Sequence, residues 1–328
     1  MSKSLTYKDA GVDIEKAAAL VGDIGAMRLR TEAKRQLFQS FGLFAAGFDL
    51  SAYQEPVIFT GCDGVGTKLK VLLEFDALEI AGKDLVAMNV NDVLTAGADP
   101  IMFLDYIGVG HIDKGKIKRV IAGMVDYLES CDCILAGGET AEMPDMVHDD
   151  MIELSGFCIG AAEKKDLIDP SNLSVGDVLI GCESDGFHAN GWSLVRRVLE
   201  TYPSEFTKDD IEAMLPPTRL YYEETCALRK AGIHPKAMAH ITGGGLPENL
   251  ERLLDGKGVQ LSLPRWDNEP VQKVLAHVEQ DEATLTFNMG YGWIVAVAPD
   301  DSDEAVAAMP RSRVLGEVTA SGFNVEIS

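Results

Sequence analysis

Residues 60–70 read TGCDGVGTKLK, a glycine-rich stretch that ends in lysines and carries an aspartate near its middle. Glycines close to Thr67 and Lys68 are typical of a loop whose backbone N–H groups bind phosphate. In a Walker-type loop the lysine precedes the Ser or Thr, whereas here Lys68 follows Thr67. The stretch therefore indicates a phosphate-binding loop that does not belong to the Walker class.

The carboxylate of Asp63 would repel a phosphate unless a cation lay between them. Mg²⁺ prefers oxygen ligands and commonly bridges one or two carboxylates to the phosphates of a substrate. The pattern therefore favours a Mg-nucleotide site, with Asp63 on the metal and with Gly64, Thr67 and Lys68 on the phosphates. The alternative is an ordinary β-turn that Asp63 caps.

Further carboxylates should converge if a metal binds there. Asp92 lies inside DLVAMNVNDVLTAG, whose apolar residues recur with helical spacing. Glu139 follows Gly137 and Gly138 in AGGETAEMP, where a strand-like run ends and glycines allow the backbone to approach a ligand. Three acids at separate strand-end or helix positions favour Mg-nucleotide binding, although a carboxylate such as that of Asp92 usually faces solvent.

The second half of the chain contains two more glycine-bounded turns. SDGFHANGWSL places His188 and Asn190 between glycines before a predicted helix, where a structural loop histidine is the alternative. In HITGGGLPENL, Thr242 can cap a helix and residues 243–245 are glycines that expose N–H groups, which indicates an anion site. A plain strand-to-helix turn is the alternative there.

Strand-like and helical patterns alternate along the chain, which predicts an α/β or α+β class. Lys116–Glu129 has the apolar spacing of an amphipathic helix, and RVLGEVTASGFNVEIS at the C-terminus is expected to form a hairpin. The polar segment AAEKKDLIDPSNLSVGD predicts a boundary between domains 1–168 and 169–328. The predicted strands include EPVIFTGCDG, PIMFLDYIGVG, MIELSGFCIGAA, DVLIGCES, AMAHI and WIVAVAP.

Composition restricts the possible partners and compartment. A length of 328 residues favours two domains, and a formal net charge of −23 argues against non-specific binding to nucleic acid or anionic membranes. The six cysteines have neither zinc spacing nor a disulfide framework, so free thiols are expected. No apolar signal or membrane-spanning run is present, which predicts a cytoplasmic protein.

Several stretches, taken in order, closely resemble one family, the phosphoribosylformylglycinamidine cyclo-ligases, or aminoimidazole ribonucleotide synthetases, of purine biosynthesis. The resemblance extends from about Leu5 to the C-terminal strands. The stretches are YKDAGVDI, TGCDGVGTKLK, DLVAMNVNDVLTAGADPIMFLDY, LAGGETAEMP, GFHANGWSL, AHITGGGLPENL and FNMGYGW.

The resemblance implies a homodimer in which an N-terminal α+β domain binds ATP and forms a barrel-like dimer core, and a C-terminal α/β domain binds substrate. It also implies ATP and Mg²⁺. The implied metal ligands are Asp63 and Asp92. The implied nucleotide residues are Lys8, Asp9, Gly64, Thr67, Lys68 and Glu139. The implied substrate residues are His188, Asn190, Thr242, Gly243, Gly244 and Gly245, and the implied catalytic residues are Lys68, His188 and Asn190.

Two departures from the family pattern concern the ligand contacts. FQSFGLFAAGFDL has only Gly42 and Gly47 where the family has several adjacent glycines, so the lid over the nucleotide is not transferred. DEATLT replaces an arginine-containing segment before FNMG, so no substrate contact is transferred there.

The implied reaction is the ATP-dependent closure of formylglycinamidine ribonucleotide to 5-aminoimidazole ribonucleotide. The γ-phosphoryl group of ATP activates the formyl oxygen, and the amidine nitrogen then attacks the same carbon. His188 is the hypothesis for proton transfer, because the ordinary pKa of histidine lies near neutrality. The alternatives are a phosphotransferase similar to thiamine-monophosphate kinase and a catalytically silent nucleotide-binding scaffold.

Overall fold

A computed structural model describes residues 14–38, 44–148 and 150–328. The chain forms two compact units, and the mixed helices and strands confirm the predicted α/β (α+β) class. The first unit contains the described residues up to Val65, together with Leu69–Val90 and Asp99–Ala161. The second contains Gly66–Lys68, Asn91–Ala98 and Ala162–Ser328. The boundary after residue 168 stays a prediction.

The elements largely follow the patterns described above. The helices are α1 Ile14–Arg28, α2 Lys68–Glu74, α3 Leu78–Thr95, α4 Lys114–Ser130, α5 Trp192–Thr201, α6 Lys208–Ala213, α7 Tyr222–Lys230, α8 Gly245–Leu254, α9 Glu269–Leu275, α10 Gln280–Thr286 and α11 Ser302–Ala308. The strands are β1 Pro56–Gly64, β2 Asp99–Val109, β3 Ile134–Glu142, β4 Ile152–Glu163, β5 Val178–Glu183, β6 Ala237–His240, β7 Gly258–Leu263, β8 Tyr291–Val297, β9 Ser312–Thr319 and β10 Phe323–Ile327.

The predicted amphipathic helix is α4, which buries the apolar stripe that runs from Ile117 to Leu128. The side chain of Asp113 caps it by accepting hydrogen bonds from the N–H groups of Gly115 and Lys116. The helix lies very close to α3, because a Cβ at Gly82 or at Gly123 would overlap the backbone of the facing helix. Glycine at these two positions therefore sets the distance between the two helices.

The strands of the first unit form a four-stranded sheet with the order β1-β4-β2-β3. Strand β2 is parallel to β3 and antiparallel to β4. Strand β1 alternates between exposed and half-buried residues, and Ile58 on it is 56% exposed. The described residues form an open sheet rather than a closed barrel, so the barrel-like dimer core stays a prediction.

The second unit has a six-stranded sheet with the order β10-β7-β9-β5-β8-β6. The predicted C-terminal hairpin is wrong, because β7 lies between β9 and β10, antiparallel to β9 and parallel to β10. The connection at residues 320–322 passes directly over the start of β7. A Cβ at Gly258 would overlap the carbonyl oxygen of Gly322, so the glycine allows this close crossing.

Strand directions bring the loops of the second unit together. Strands β5, β6, β7 and β10 run one way, and β8 and β9 run the other way. The segments that follow β5, β6 and β7, and those that precede β8 and β9, therefore meet at one edge of the sheet, which we call the loop edge. It comprises residues 184–191, 241–244, 264–268, 287–290 and 310–311.

The centre of this sheet is buried. Every residue of β8 is buried, as its continuous apolar sequence predicts. Within the described part of the chain, no helix is both long and apolar enough to cross a membrane.

Candidate functional site

The glycine-rich stretch leads from β1 to α2, and Asn89 holds its aspartate in place. The N–H of Asp63 donates to Oδ1 of Asn89 at 2.8 Å, and Nδ2 of Asn89 donates to the carbonyl oxygen of Asp63 at 3.2 Å. The Asp63 carboxylate accepts the N–H of Gly64 at 2.7 Å, as the turn alternative expects. The carboxylate is half-buried and can still reach a ligand. Asn89, which is fully buried, was not predicted.

Lys68 is deeply buried at the start of α2, within the second unit. Its ammonium donates to the carbonyl oxygen of Pro216 at 2.9 Å and lies 5.8 Å from the centre of the Trp192 ring. Thr67, in contrast, is exposed, and its hydroxyl lies 3.0 Å from that of Ser193. The charge of Lys68 is thus held by fixed protein dipoles rather than extended into solvent.

Asp92 is on the exposed side of α3 and pairs with His240. Its Oδ1 lies 2.9 Å from Nδ1 of His240, while the other ring nitrogen lies 3.3 Å from Nδ2 of Asn91. Because an amide nitrogen can only donate, this network assigns a neutral ring with its proton on Nδ1. Asn91 also accepts the N–H of Tyr221 at 3.0 Å and donates to the carbonyl oxygen of Arg219 at 2.9 Å. Sequence reasoning missed His240 and the role of Asn91.

Glu139 lies on β3, where it is exposed and faces Tyr106 of β2 in the sheet register. One residue earlier on each strand, Gly138 of β3 lies opposite Asp105 of β2. A Cβ at Gly138 would overlap the Asp105 carboxylate. Burial, and to a smaller extent the charge of Glu139, raise the pKa of Asp105 to about 7. A cavity of about 210 Å³ between these strands and α1 is lined by both acids. An acid inside the apolar run PIMFLDYIGVG was the available signal for Asp105.

His188 is buried at the loop edge with a left-handed backbone, φ 60°. Its Nε2 accepts the N–H groups of Asp185 and Arg219 at 3.3 and 3.4 Å, and its Nδ1 has no partner among the described residues. Burial lowers the pKa of His188 well below its ordinary value, and the charge of Lys68 lowers it further. The reason for assigning proton transfer to His188, an ordinary pKa near neutrality, is therefore corrected. The assignment itself stays a prediction.

The two predicted substrate turns adjoin each other at the loop edge. A Cβ at Gly243 would lie 3.8 Å from Oδ1 of Asn190, which is half-buried. The side-chain amide of Asn249 donates to the carbonyl oxygens of Gly243 and Gly245 at 3.2 and 2.7 Å. These bonds turn the carbonyl groups toward α8 and fix the shape of the turn.

Thr242 does not cap α8 as predicted. The N-cap is Gly244, whose φ of 88° suits glycine, and the hydroxyl of Thr242 instead bonds to Oδ1 of Asn249 at 3.3 Å. The side chain of Glu248 folds back over Gly244, because a Cβ there would overlap it. A carboxylate thus lies beside the predicted anion site, and a bound phosphate would require Glu248 to move or to be neutralised.

Lys8 and Asp9 lie outside the described residues, as does Gly42 in the altered glycine run. Across residues 14–38, 44–148 and 150–328, no three His, Cys, Asp or Glu side chains are grouped to hold a metal ion. A Mg²⁺ ion that is shared with nucleotide phosphates needs only one or two protein carboxylates. The oxygen ligands of Asp63 and Asp92 are therefore chemically suited to such an ion.

Comparison with known proteins covers nearly the whole chain. Residues 48–162 match the family described as AIR synthase related protein, N-terminal domain, and residues 174–328 match the C-terminal domain of the same description. A phosphoribosylformylglycinamidine cyclo-ligase from Oceanobacillus iheyensis is 40% identical and is aligned over 96% of this chain and 97% of its own length. Its counterpart from Cupriavidus taiwanensis is 42% identical, over 92% of this chain and 89% of its own.

Solved structures of other enzymes have a similar fold. Hydrogenase maturation protein HypE in complex with ATP aligns with a TM-score of 0.67 and 17% identity, over 95% of this chain and 91% of that one. Thiamine-monophosphate kinase from Stenotrophomonas maltophilia aligns with a TM-score of 0.62 and 17% identity, over 92% and 94%. At this identity the likeness concerns the fold alone.

Proposed function

The chain belongs to the phosphoribosylformylglycinamidine cyclo-ligase family, and on that premise we propose how its residues serve an ATP-dependent ring closure. Its reaction converts formylglycinamidine ribonucleotide and ATP to 5-aminoimidazole ribonucleotide, ADP and phosphate, a step in purine biosynthesis. The identity of 40% across 96% of the chain carries this conclusion. The kinase alternative is not favoured, because thiamine-monophosphate kinase shares the fold at only 17% identity.

The chemistry needs an activated formyl oxygen. The γ-phosphoryl group moves from ATP to that oxygen, which releases ADP and creates a good leaving group. The amidine nitrogen forms a bond to the same carbon, the carbon–oxygen bond breaks, and phosphate leaves while the nitrogen loses a proton. The protein contributes by positioning the two reactants and by stabilising charge on the moving phosphoryl group.

Mg²⁺ is proposed to bind Asp63 and Asp92. Both side chains offer carboxylate oxygens, and that of Asp92 is 46% exposed although it is paired with His240. The ion would neutralise negative charge on the phosphate oxygens. Asn89 and His240 would orient the two carboxylates, through the backbone of Asp63 and through Oδ1 of Asp92.

The remaining predicted residues are proposed to bind the two substrates. Exposed Thr67 and Glu139 can approach a nucleotide, and the ammonium of Lys68 contributes a fixed positive charge at the start of α2. Asn190 and the adjoining turn at residues 242–245 are proposed to contact the ribonucleotide. The proposed nucleotide residues are Lys8, Asp9, Gly64, Thr67, Lys68 and Glu139.

His188 is also proposed to position the loop edge, besides its predicted role in proton transfer. A neutral ring accepts the N–H groups of Asp185 and Arg219 and so joins the two segments that contain them. Pro216 is close to Arg219 in sequence, and its carbonyl oxygen accepts a hydrogen bond from the Lys68 ammonium. Loss of the ring would loosen this connection.

A cytoplasmic homodimer is proposed as the working form. The sheet of the first unit leaves apolar side chains uncovered, among them Ile58 at 56% exposure and Phe157 at 39%. A second copy could cover such a face. Sedimentation analysis measures the oligomeric state, and a dimer is expected. Phe157→Glu should shift the protein toward monomer. A monomeric wild-type protein would contradict the proposal.

The function is tested by following ADP and 5-aminoimidazole ribonucleotide together, with purified protein, Mg-ATP and formylglycinamidine ribonucleotide. Equal amounts of both products are expected. Asp63→Ala should abolish both, whereas Asp300→Ala, which removes an exposed acid elsewhere, should not. ADP formation only with thiamine monophosphate would place the chain with the kinases, and ATP binding without turnover would indicate a scaffold.

A further inference from the structure

A cavity at the loop edge of the second unit has no role in the function described so far. It measures about 630 Å³. Its wall includes the end of β5, the loop after β7, the FNMGYG turn before β8 and the start of β9. We call it the arginine pocket, after Arg265, Arg311 and Arg313 in its lining.

The wall of the arginine pocket is held by a buried amide. Oδ1 of Asn288 accepts the hydroxyl of Ser184 at 3.0 Å and the N–H of Gly290 at 2.9 Å, and its Nδ2 donates to the carbonyl oxygen of Gly186 at 2.9 Å. The N–H of Ser184 donates to the carbonyl oxygen of Gly290 at 2.8 Å. Met289 and Gly290 have left-handed backbones, φ 50° and 92°. The FNMG motif thus builds a fixed wall rather than a mobile loop.

The charges of the pocket leave two arginines without an acidic partner. Arg311 bonds to the carboxylates of Glu183 and Asp185 at 3.2 and 2.6 Å. Among the described residues, the side chain of Arg265 bonds only to the amide oxygen of Gln272, at 2.9 Å, and the side chain of Arg313 has no ion pair or hydrogen bond. The remaining acid of the lining, Asp267, is exposed.

The two arginines without an acidic partner are exposed and line the same cavity. With 52 acidic and 29 basic residues, most arginines could find a carboxylate, yet two without one converge on a single cavity. Arginine binds phosphate through two parallel hydrogen bonds, which makes such a pair suited to a phosphate group. Trp266 gives the pocket a rigid apolar wall. Its ring packs edge-on against that of Phe187, with the ring centres 5.5 Å apart.

Two residues that line the pocket are hydrogen-bonded to predicted site residues. Asp185 lines it and donates its N–H to Nε2 of His188. Pro216 also lines it and accepts the Lys68 ammonium. We infer that the arginine pocket receives the 5′-phosphate of the ribonucleotide substrate, with Arg265 and Arg313 as its ligands. This inference rests on the proposed function.

The test combines kinetics with a binding measurement that needs no turnover. Arg265→Ala and Arg313→Ala are each expected to raise the KM for formylglycinamidine ribonucleotide about tenfold or more, while the KM for Mg-ATP changes less than about twofold. Arg197→Ala is the matched control, because Arg197 is 78% exposed on α5 and does not line the pocket. Arg313→Lys should raise this KM less than Arg313→Ala does, since lysine keeps the charge but not the paired hydrogen bonds.

Binding of ribose 5-phosphate, measured by calorimetry, gives the independent readout. Wild type and Arg197→Ala should bind it, and the Arg265→Ala/Arg313→Ala double variant should lose at least about tenfold in affinity. If the wild type is active and both substitutions leave the KM and the binding of ribose 5-phosphate unchanged, the pocket does not bind the 5′-phosphate. The proposed function would still stand. An inactive wild type that still binds ribose 5-phosphate through these arginines would support the pocket and count against the proposed function.

Discussion

Oδ1 of Asp92 lies 2.9 Å from Nδ1 of a buried histidine, His240, whose opposite nitrogen faces Nδ2 of Asn91 at 3.3 Å. The two α3 residues that hold the ring are adjacent in sequence, and one of them is the proposed metal ligand. The ring therefore fixes the direction of one carboxylate oxygen and leaves the other to a ligand. Neighbours of this kind orient metal ligands and tune their affinity.

His240→Ala is expected to weaken Mg²⁺ activation. Without the ring, the Asp92 carboxylate can rotate, and the Mg²⁺ concentration for half-maximal activity should rise about 10–100-fold. The measurement is turnover against Mg²⁺ at fixed ATP. His277→Ala is the matched control, because His277 also pairs with a carboxylate, Glu205, at 2.9 Å. Equal effects from the two substitutions would mean that the His240 pair only stabilises the fold.

His188 should make stability depend on pH without titrating in the activity profile. Its pKa is lowered in the folded state, so below about pH 6.5 the unfolded chain binds a proton that the folded one does not. The free energy of unfolding should therefore fall as pH decreases through that value, by at most about 1.4 kcal/mol per pH unit from this group. His188→Gln should remove this part of the slope in urea unfolding between pH 5 and pH 7.5. If the imidazole signal of His188 titrated near pH 6.5 by NMR, the predicted lowering of its pKa would be wrong.

Asp105 should act on stability in the opposite direction. Its folded pKa of about 7 exceeds its unfolded value of 3.8, so the folded chain holds the extra proton between the two values. Stability from this group is present at low pH and is lost as pH rises from about 4 to 7. Asp105→Asn, which resembles the protonated acid, should unfold less readily than wild type at pH 8, by up to about 4 kcal/mol. A difference that does not grow between pH 5 and pH 8 would contradict this reading.

Gly123→Ala should destabilise the first unit. The added methyl group would overlap the backbone of Glu79, so α3 and α4 would have to separate, at a cost of about 1–3 kcal/mol. Gly22→Ala is the matched control on α1, because nothing lies within 4 Å of a Cβ there. That change should stabilise by about 0.5–1 kcal/mol, since alanine favours helices. Thermal unfolding of the two variants checks both signs, and a loss in Gly22→Ala would show that the helix propensity is outweighed.

The sequence predicted local features well where a single element determined the outcome. The apolar stripe of α4 fixed a helix, and the continuous apolar run of β8 fixed a buried strand. The C-terminal hairpin failed because its two strands both pair with β7, a partner about sixty residues away that local patterns do not reveal.

The site shows the same division. Asp63, Asp92 and Asn190 stand out in glycine-rich or helical stretches, and the family resemblance adds their roles. Asn89, Asp105 and His240 have no local signal of comparable strength. Their importance comes from hydrogen bonds and burial across distant segments of the chain, which sequence patterns do not encode.

The sequence by itself determined the family and most of the helices and strands, because glycine turns and apolar periodicity act over a few residues. Only the tertiary structure decided which side chains stay charged and which side chains from distant segments lie in one pocket. His188 has an ordinary residue type but a lowered pKa, because burial removes the water that would stabilise its charge. Arg265 and Arg313 lie 48 residues apart in sequence and share one pocket, because the directions of β7 and β9 bring their loops to the same edge.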